Sequence, residues 1–267
     1  MASEDNQLAR RHLPDSGLSE IISKVRAQTP ARLLAGRSGG AYRTVTQLEL
    51  REAHAAARDA VRTEFDLVAT LGNDFIRQWN LLEVTSQAST KDEYLLRPDL
   101  GRHLTKASRE QVSSGCKTGN DLQIVIGDGL SVTAVSSQVP HLLPLLREGA
   151  NLRNWTIGQI FAVRHCRVGI LNEIGELLKP QVVILLIGER PGLATAESLS
   201  AYMAYQPTAS HTDANRNLIS NIHARGVSAE QAAERILKLA DSMIKTKTSG
   251  YQLREEFPTA IRPEITR

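Results

Sequence analysis

The sequence is poor in aromatic residues and in cysteine. Its 267 residues include 2 Trp, 5 Tyr, 4 Phe and 2 Cys. The core therefore depends on Leu, Ile, Val and Ala, in keeping with a hydrophobic content of 41%. Cys116 and Cys166 have no companion Cys or His at the spacing of zinc ligands, which excludes a zinc site and a disulfide scaffold. Such sparse cysteine is typical of a reducing compartment, and we expect a cytoplasmic protein.

The chain also lacks an excess of charge of one sign and a long hydrophobic run. Lys and Arg number 32 against 29 Asp and Glu, for a formal net charge of +3. This balance argues against an electrostatic nucleic-acid binder. The longest strongly apolar run covers residues 182–187, whereas a membrane-spanning helix needs roughly 20 residues. We therefore expect a soluble protein that binds neither nucleic acid nor a membrane.

The N-terminal third has a helical texture. Residues 1–28 predict a flexible arm with a helical turn or two, which is either a docking or encapsulation peptide or simply a frayed terminus. Residues 29–80 predict a helical region. Within it, apolar residues at helical spacing over 47–65 predict a helix with one buried stripe.

From residue 81 onward, short β-like runs alternate with helical stretches, which is typical of a parallel α/β sheet. We expect a Rossmann-like parallel sheet flanked by helices over 81–250, followed by an irregular tail at 251–267. Ser228 and Gln231 form a capping box that begins the last helix. The predicted strands are 81–86, 122–126, 160–168 and 181–187. The predicted helices are 105–113, 131–136, 141–148, 169–178, 195–202 and 228–246.

Two glycine-bearing turns directly follow the most apolar runs. Residues 127–131 read GDGLS and residues 188–192 read GERPG. Ligands of open α/β sheets bind beyond the carboxyl ends of the strands, so Asp128, Glu189 and Arg190 are candidate site residues. Ordinary turn chemistry is the alternative for GDGLS, and a surface salt bridge is the alternative for GERPG.

Other polar groups suggest binding rather than catalysis. RPDLGR at 97–102 offers an arginine fork suited to a carboxylate or a phosphate. His165 fits a satisfied core or edge residue better than a ligand, and Tyr202 and Tyr205, three positions apart, fit half-buried packing better than a cofactor box. No GxSxG, HExxH or P-loop motif occurs. A further polar group comprises Glu197, Ser198, Tyr202, Tyr205, Arg216, Ser220, Asn221 and His223.

Four motifs in order, spanning about 130 residues, resemble the small subunit of ethanolamine ammonia-lyase. A weaker likeness extends back to about residue 29. The motifs are RPDLGR at 97–102, GDGLS at 127–131, VVILLIGERPGLATAESLSAY at 182–202 and ISNIH at 219–223.

The resemblance implies an adenosylcobalamin-dependent lyase that converts ethanolamine to acetaldehyde and ammonia by radical chemistry. It implies a large-subunit partner, a hetero-oligomer, and cobalamin bound between the two chains. No catalytic residue is assigned to this chain, because the cofactor carries the chemistry and the protein supplies binding. The chain has no D-x-H-x-x-G signature, so we expect no protein histidine on cobalt.

Carried over by motif, the family's cobalamin contacts fall on Val168, Glu189 and Leu218. Some members have Cys where Leu218 stands, so any thiol role is lost and a packing or main-chain contact remains. Arg190, together with the neighbouring Asp128 and Ser131, is expected to line the same pocket. Two other readings stay open: a nucleotide-binding Rossmann-like protein that uses GDGLS as its phosphate loop, and a non-catalytic scaffold that docks to a bacterial microcompartment.

Overall fold

The structure, a computed structural model, describes residues 15–27, 37–192 and 194–255. The rest of the predicted arm and tail lies outside these residues. The chain divides into two compact units between Ala53 and His54. The domain boundaries inferred from the sequence stay predictions. In the part that is described, no helix is long and apolar enough to cross a membrane.

The first unit contains helix α1 (Asp15–Ala27) and a short antiparallel pair, β1 (Arg37–Ser38) and β2 (Ala41–Tyr42). Helix α2 (Thr44–Arg62) contains the division point, and its existence confirms the helix expected at 47–65. Its apolar stripe was expected to be buried, and this is wrong. No residue of α2 is buried, and Leu48 is 57% exposed.

The second unit is built on a six-stranded sheet with the order β3-β5-β4-β6-β7-β8. Strands β3, β5, β4 and β6 are parallel; β7 runs antiparallel to β6, and β8 runs antiparallel to β7 and so in the same direction as the first four. This mostly parallel sheet confirms the α/β class. The strands are β3 (Leu82–Thr85), β4 (Leu122–Gly127), β5 (Phe161–Arg164), β6 (Val182–Gly188), β7 (Leu199–Tyr205) and β8 (Asn217–Ile222).

Helices cover both faces of the sheet. Alternate residues of β4 and β6 point into two separate apolar clusters, one on each face, as expected for central strands without polar alternation. The first cluster includes residues of α7 and α9, and the second includes residues of α6 and α8. The helices are α3 (Leu67–Leu71), α4 (Asn73–Trp79), α5 (Lys91–Leu96), α6 (Lys106–Gly115), α7 (Val132–Asn151), α8 (Ile170–Leu178) and α9 (Ala229–Thr246).

Local capping signals in the sequence are confirmed. The Ser228 hydroxyl accepts from the Gln231 amide, and the Gln231 side chain accepts from the Ser228 amide, which completes the capping box of α9. Ser131 caps α7 by accepting from the Ala134 amide at 3.2 Å.

The helix expected at 195–202 is wrong, because this segment forms β7. Leu199, Ala201 and Met203 are fully buried in one apolar cluster, and Tyr202 packs against the other. This alternation is that of a strand. Tyr205 consequently faces away from Tyr202 and packs on the first cluster, and the expected half-buried packing of both tyrosines is confirmed.

The interruption expected between helices 131–136 and 141–148 is also wrong. A single helix, α7, runs through Pro140 and Pro144. Pro144 is exposed and Pro140 is half-buried, so the rings lie away from the buried stripe. The burial of that stripe outweighs the lost backbone hydrogen bonds. Its apolar members are Val132, Val135, Val139, Leu142, Leu143 and Leu146.

One strand boundary and one whole strand also differ from expectation. The strand expected at 160–168 ends at Arg164, because His165 adopts a left-handed conformation with φ of 55°. Strand β8 has no counterpart in the prediction. Its buried residues Ile219 and Ile222 are three apart rather than two, since Asn221 at φ of 61° breaks the alternation.

Leu146 tests the packing of α7. Leu146→Ala should lower the free energy of unfolding by about 2–5 kcal/mol, because it opens a cavity in a fully buried cluster. Leu152→Ala, just beyond the end of the same helix and 78% exposed, is the control and should change it by less than about 0.5 kcal/mol. Urea titration measures both, and equal losses would contradict this packing.

Candidate functional site

A concave site lies at the carboxyl edge of the parallel strands. It is a cavity of about 390 Å³ where the turns after β4, β5 and β6 meet β7 and β8. This is the edge at which ligands of open α/β sheets bind. The lining residues are Tyr94, Gly129, Leu130, Arg167, Val168, Ile187, Gly188, Glu189, Arg190, Ser200, Tyr202 and Leu218.

All three residues carried over from the resemblance lie on this cavity. Val168 comes from the turn between β5 and α8, Glu189 follows β6, and Leu218 lies on β8. Arg190 lines it too, as expected. Leu218 is 44% exposed and is paired in register with Tyr202 of β7. The structure therefore brings together residues up to 50 positions apart in sequence.

The carboxylate of Glu189 is held by three donors. The Ser198 hydroxyl donates to Oε2 at 2.8 Å, the Ser200 hydroxyl donates to Oε1, and the Asn221 amide donates to Oε1 at 3.2 Å. These bonds join the turn after β6 to β7 and β8. Glu189 forms no salt bridge with Arg190, so the alternative of a surface pair within GERPG is wrong.

The two tyrosines at the cavity have different roles. Burial, together with the nearby Glu189 carboxylate, raises the pKa of Tyr202, so its phenol stays protonated. Tyr94 is fully buried and donates to the Cys166 carbonyl at 3.1 Å. The Arg167 guanidinium lies over the Tyr94 ring at 4.2 Å from its centroid. The wall therefore presents the neutral Tyr202 phenol near the Arg167 cation.

Glycine permits the turns after β4 and β6 to meet. The Leu130 amide donates to the Gly188 carbonyl at 3.0 Å. A Cβ on Gly129, whose φ is +56°, would lie 2.2 Å from that carbonyl oxygen, and a Cβ on Gly188 would lie 2.0 Å from the Ser131 carbonyl. Only glycine fits at these two positions.

Asp128 does not line the cavity, contrary to expectation. It is fully buried, and its Oδ1 accepts from the Cys166 amide at 2.7 Å. Its Oδ2 lies 3.3 Å from Lys91 Nζ, and Lys91 also donates to the Gly129 carbonyl at 3.1 Å. Carboxylate and ammonium groups are buried only when they are paired, and this pair ties α5 to the turns after β4 and β5.

Ser131 is likewise absent from the cavity lining and is buried. Its hydroxyl donates to the Ala196 carbonyl while it caps α7. The polar group expected around 197–223 is divided. Ser198 and Asn221 donate hydrogen bonds to Glu189. His223 is buried, and its Nε2 lies 2.7 Å from Asn221 Oδ1.

The arginine fork of RPDLGR is also divided. Arg97 closes on Asp99 within the same loop, with Nε and Nη2 donating at 3.0 and 2.7 Å. Arg102 turns toward a second cavity, beside the first. His165 is a satisfied core residue as expected: it is buried and bonded to the Ala88 carbonyl and the Glu64 carboxylate.

Sequence reasoning missed Lys91, Tyr94 and Arg167. Lys91 and Tyr94 lie in a short helix with no motif of its own, and only the fold places them beside the turns after β4 and β5. Arg167 adjoins Val168, and this adjacency was a usable signal.

Residues 15–27, 37–192 and 194–255 contain no group of three or more potential metal ligands. Both cysteines are free and buried. Burial raises the pKa of each thiol, and the Asp128 carboxylate adds to the effect at Cys166. Neither is therefore a poised nucleophile.

Fold and site together define an α/β protein with an open cavity of polar and apolar groups at the carboxyl edge of its sheet. The sequence model of the ethanolamine ammonia-lyase light chain (EutC) family matches residues 19–254. The chain belongs to this family.

Relatives named ethanolamine ammonia-lyase small subunit cover most of the chain. The one from Clostridium perfringens is 40% identical over 235 residues, 88% of this chain and 78% of the relative. The one from Listeria monocytogenes is 40% identical over 242 residues, which are 91% of this chain and 80% of the relative. The one from Clostridium acetobutylicum is 39% identical over 237 residues, which are 88% of this chain and 95% of the relative. These findings confirm the family inferred from the four motifs.

The buried pair of Lys91 and Asp128 carries a stability prediction. Lys91→Met should lower the free energy of unfolding by about 3–5 kcal/mol, because it leaves a buried carboxylate without its cation. The control is Arg62→Met, which removes the exposed pair with Asp92 and should cost less than about 1 kcal/mol. Urea titration distinguishes them, and equal effects would show that the buried pair is not stabilising.

Burial of the thiols carries a second prediction. In the native protein Cys166 should fail to react with Ellman's reagent at neutral pH, because its sulfur is inaccessible and its pKa is raised. Both thiols should react at once in denaturant. Fast labelling of Cys166 in the folded protein, located by mass spectrometry, would contradict the site geometry.

Proposed function

We propose that the chain is the small subunit of an adenosylcobalamin-dependent ethanolamine ammonia-lyase, which converts ethanolamine to acetaldehyde and ammonia together with a large subunit. Cobalamin lies between the two chains in this proposal. The observation that carries it is the convergence of Val168, Glu189 and Leu218 on one cavity at the carboxyl edge of the sheet. Family membership supports the lyase assignment.

The residues present fit a corrinoid. Its broad ring, fringed with amide groups, needs apolar packing surface and neutral hydrogen-bonding partners. Val168, Ile187 and Leu218 offer the first. A carboxylate has about four acceptor sites, and three donors occupy Glu189, so one site remains for a corrinoid amide N–H.

The size of the cavity supports a shared site. A volume of about 390 Å³ suits a drug-sized molecule, and a corrinoid is much larger. The chain would then supply one wall of the binding site. The half-exposed Leu218 would face the corrinoid or the wall supplied by the large subunit. The large subunit would close the remainder and exclude water.

Adenosylcobalamin, when bound, supplies radical chemistry by homolysis of its cobalt–carbon bond. This chain's part is to bind and orient. Glu189 is fixed by its three donors, and Tyr202 stays a neutral phenol beside it. Gly129 and Gly188 line the same cavity.

A nucleotide-binding function for GDGLS is less well supported. A phosphate loop needs free backbone amides, but the Asp128 amide donates to the Val163 carbonyl and the Leu130 amide to the Gly188 carbonyl. The Asp128 carboxylate is also buried behind the turn. A location in the cytoplasm or in a bacterial microcompartment, with residues 1–28 as a docking segment, stays a prediction.

Glu189→Gln tests the proposal. In the complex copurified with the large subunit, this variant should weaken hydroxocobalamin binding by about tenfold, because a charged acceptor is lost. Assembly should be unchanged. The control is Glu197→Gln, an exposed carboxylate outside the cavity lining, which should bind cobalamin like the wild type.

Absorbance titration measures the affinity, and a urea melt confirms that the Glu189→Gln complex remains folded. Unchanged affinity in that complex would show that Glu189 is no cobalamin contact. Failure of the wild-type complex to bind any corrinoid would overturn the proposed function itself.

A further inference from the structure

A second cavity, of about 800 Å³, adjoins the first and carries an unusual set of charges. The two cavities share Arg167, Val168 and Tyr202 as lining residues. The ionised groups on the larger one are four arginines and three carboxylates: Arg102, Arg109, Arg167 and Arg216 with Glu173, Glu176 and Asp213.

The carboxylates do not neutralise all of the arginines. Glu173 is bound by Arg109 at 2.8 Å, and its other oxygen accepts from the Leu104 amide. Glu176 accepts from the Ala209 amide. Arg102 makes no hydrogen bond or ion pair through its guanidinium within the part of the chain that the structure describes.

Arg167 also has no carboxylate partner there. Its Nη2 donates to the Tyr94 carbonyl at 3.0 Å, and its buried Nε has no hydrogen-bond partner among the described residues. The second cavity therefore holds two guanidinium groups that form no ion pair with a carboxylate among the described residues. Asp99 is bound by Arg97, and the Arg102 cation is near enough to help lower its pKa.

Arg216 adds a third, weakly compensated cation. Its side chain is only 6% exposed, while its ion-pair partner Asp213 is 93% exposed, so solvent screens the pair. Its Nη2 donates to Asn172 at 3.0 Å, and its Nε is buried without a partner. Burial, only partly offset by Asp213, lowers the pKa of Arg216, and the nearby Arg102 cation lowers it further.

Two glycines hold these arginines in place. A Cβ on Gly101 would lie 2.6 Å from Arg167 Cγ, and a Cβ on Gly169 would lie 2.8 Å from Arg102 Cγ. Arg167 thus packs over Gly101, which precedes Arg102, and Arg102 packs over Gly169, which follows Arg167 by two residues. The Arg167 amide also donates to the Gly101 carbonyl at 2.8 Å. The arginines are therefore positioned by tight packing.

We propose that this second cavity is an anion subsite, in which Arg102, Arg167 and Arg216 take the phosphodiester of the corrinoid whose ring lies against the first cavity. The inference rests on the proposed function. Guanidinium groups bind phosphate oxygens through charge-assisted, often bidentate, hydrogen bonds. Cobalamin carries a single phosphodiester in its nucleotide loop, so it brings the anion that the shared wall of the two cavities lacks.

Cobinamide and cobinamide phosphate test this subsite, because they differ by the phosphate group alone. The protein is the complex copurified with its large subunit, and absorbance titration measures both affinities. Arg102→Gln should weaken cobinamide phosphate binding by about tenfold or more and leave cobinamide binding unchanged. Arg102 is exposed, so its replacement should not disturb the fold.

Arg97→Gln is the matched control, since Arg97 lies in the same loop, is exposed, and pairs with Asp99 away from the cavity. It should leave both affinities unchanged. Equal weakening of both ligands by Arg102→Gln, or no weakening of either, would overturn the subsite. Loss of copurification in Arg102→Gln would assign the arginine to a carboxylate of the large subunit and also overturn it.

Inorganic phosphate distinguishes a free anion from the corrinoid. Calorimetric titration of the wild-type complex with phosphate should show weak binding at most; phosphate binding as tight as that of cobinamide phosphate would assign the site to the free ion and overturn the proposal. Tight cobinamide binding without any gain from the phosphate group would refute the subsite alone. Absence of binding by either corrinoid would refute the proposed function with it.

Discussion

The buried carboxylate of Asp128 connects the parts from which the site is made. One oxygen accepts from the Cys166 amide in the turn after β5, and the other faces the Lys91 ammonium group, which also holds the Gly129 carbonyl. Two central strand ends and a helix are thereby fixed to one another. Val168 follows Cys166 by two residues, so its position depends on this contact. A buried charge tolerates few alternative geometries, because each loses a partner that solvent cannot replace.

Close backbone approach completes the wall on its other side. The turn after β4 lies against the turn after β6 because Gly129 and Gly188 leave room for the opposing carbonyl groups. Beyond it, the Glu189 carboxylate accepts hydrogen bonds from Ser198 just before β7, from Ser200 in β7 and from Asn221 in β8. The result is a fixed surface of glycine backbone, aliphatic side chains and satisfied polar groups. Such a surface suits a subunit that positions a cofactor whose own chemistry does the work.

Sequence patterns predicted the elements whose signals are local. The central strands read as unbroken apolar runs, and α9 carried a capping box and a clear stripe, so both were found. Strand β7 was mistaken for a helix because both of its faces are largely buried, which hides the alternation at Leu199, Ala201 and Met203. Strand β8 is an edge strand with polar residues and a left-handed Asn221, which removes the usual period of two.

The site was predictable where it follows from motif order and strand ends. Val168, Glu189 and Leu218 came from the resemblance, and the fold places them on one cavity. The inward orientation of Asp128 was not predictable, since its partner Lys91 lies 37 residues earlier, in a helix without a motif. Arg102 and Arg167 each had a motif beside them, but their placement at one cavity depends on packing over two glycines distant in sequence, Gly169 and Gly101, and this packing was not predictable.

Acetaldehyde release from ethanolamine, measured with each subunit alone and with both together, tests the central claim of a shared site most directly. With adenosylcobalamin present, we predict turnover only when this chain and the large subunit are combined. Turnover by either subunit alone at the rate of the mixture, or no turnover by a stably assembled mixture, would contradict the account.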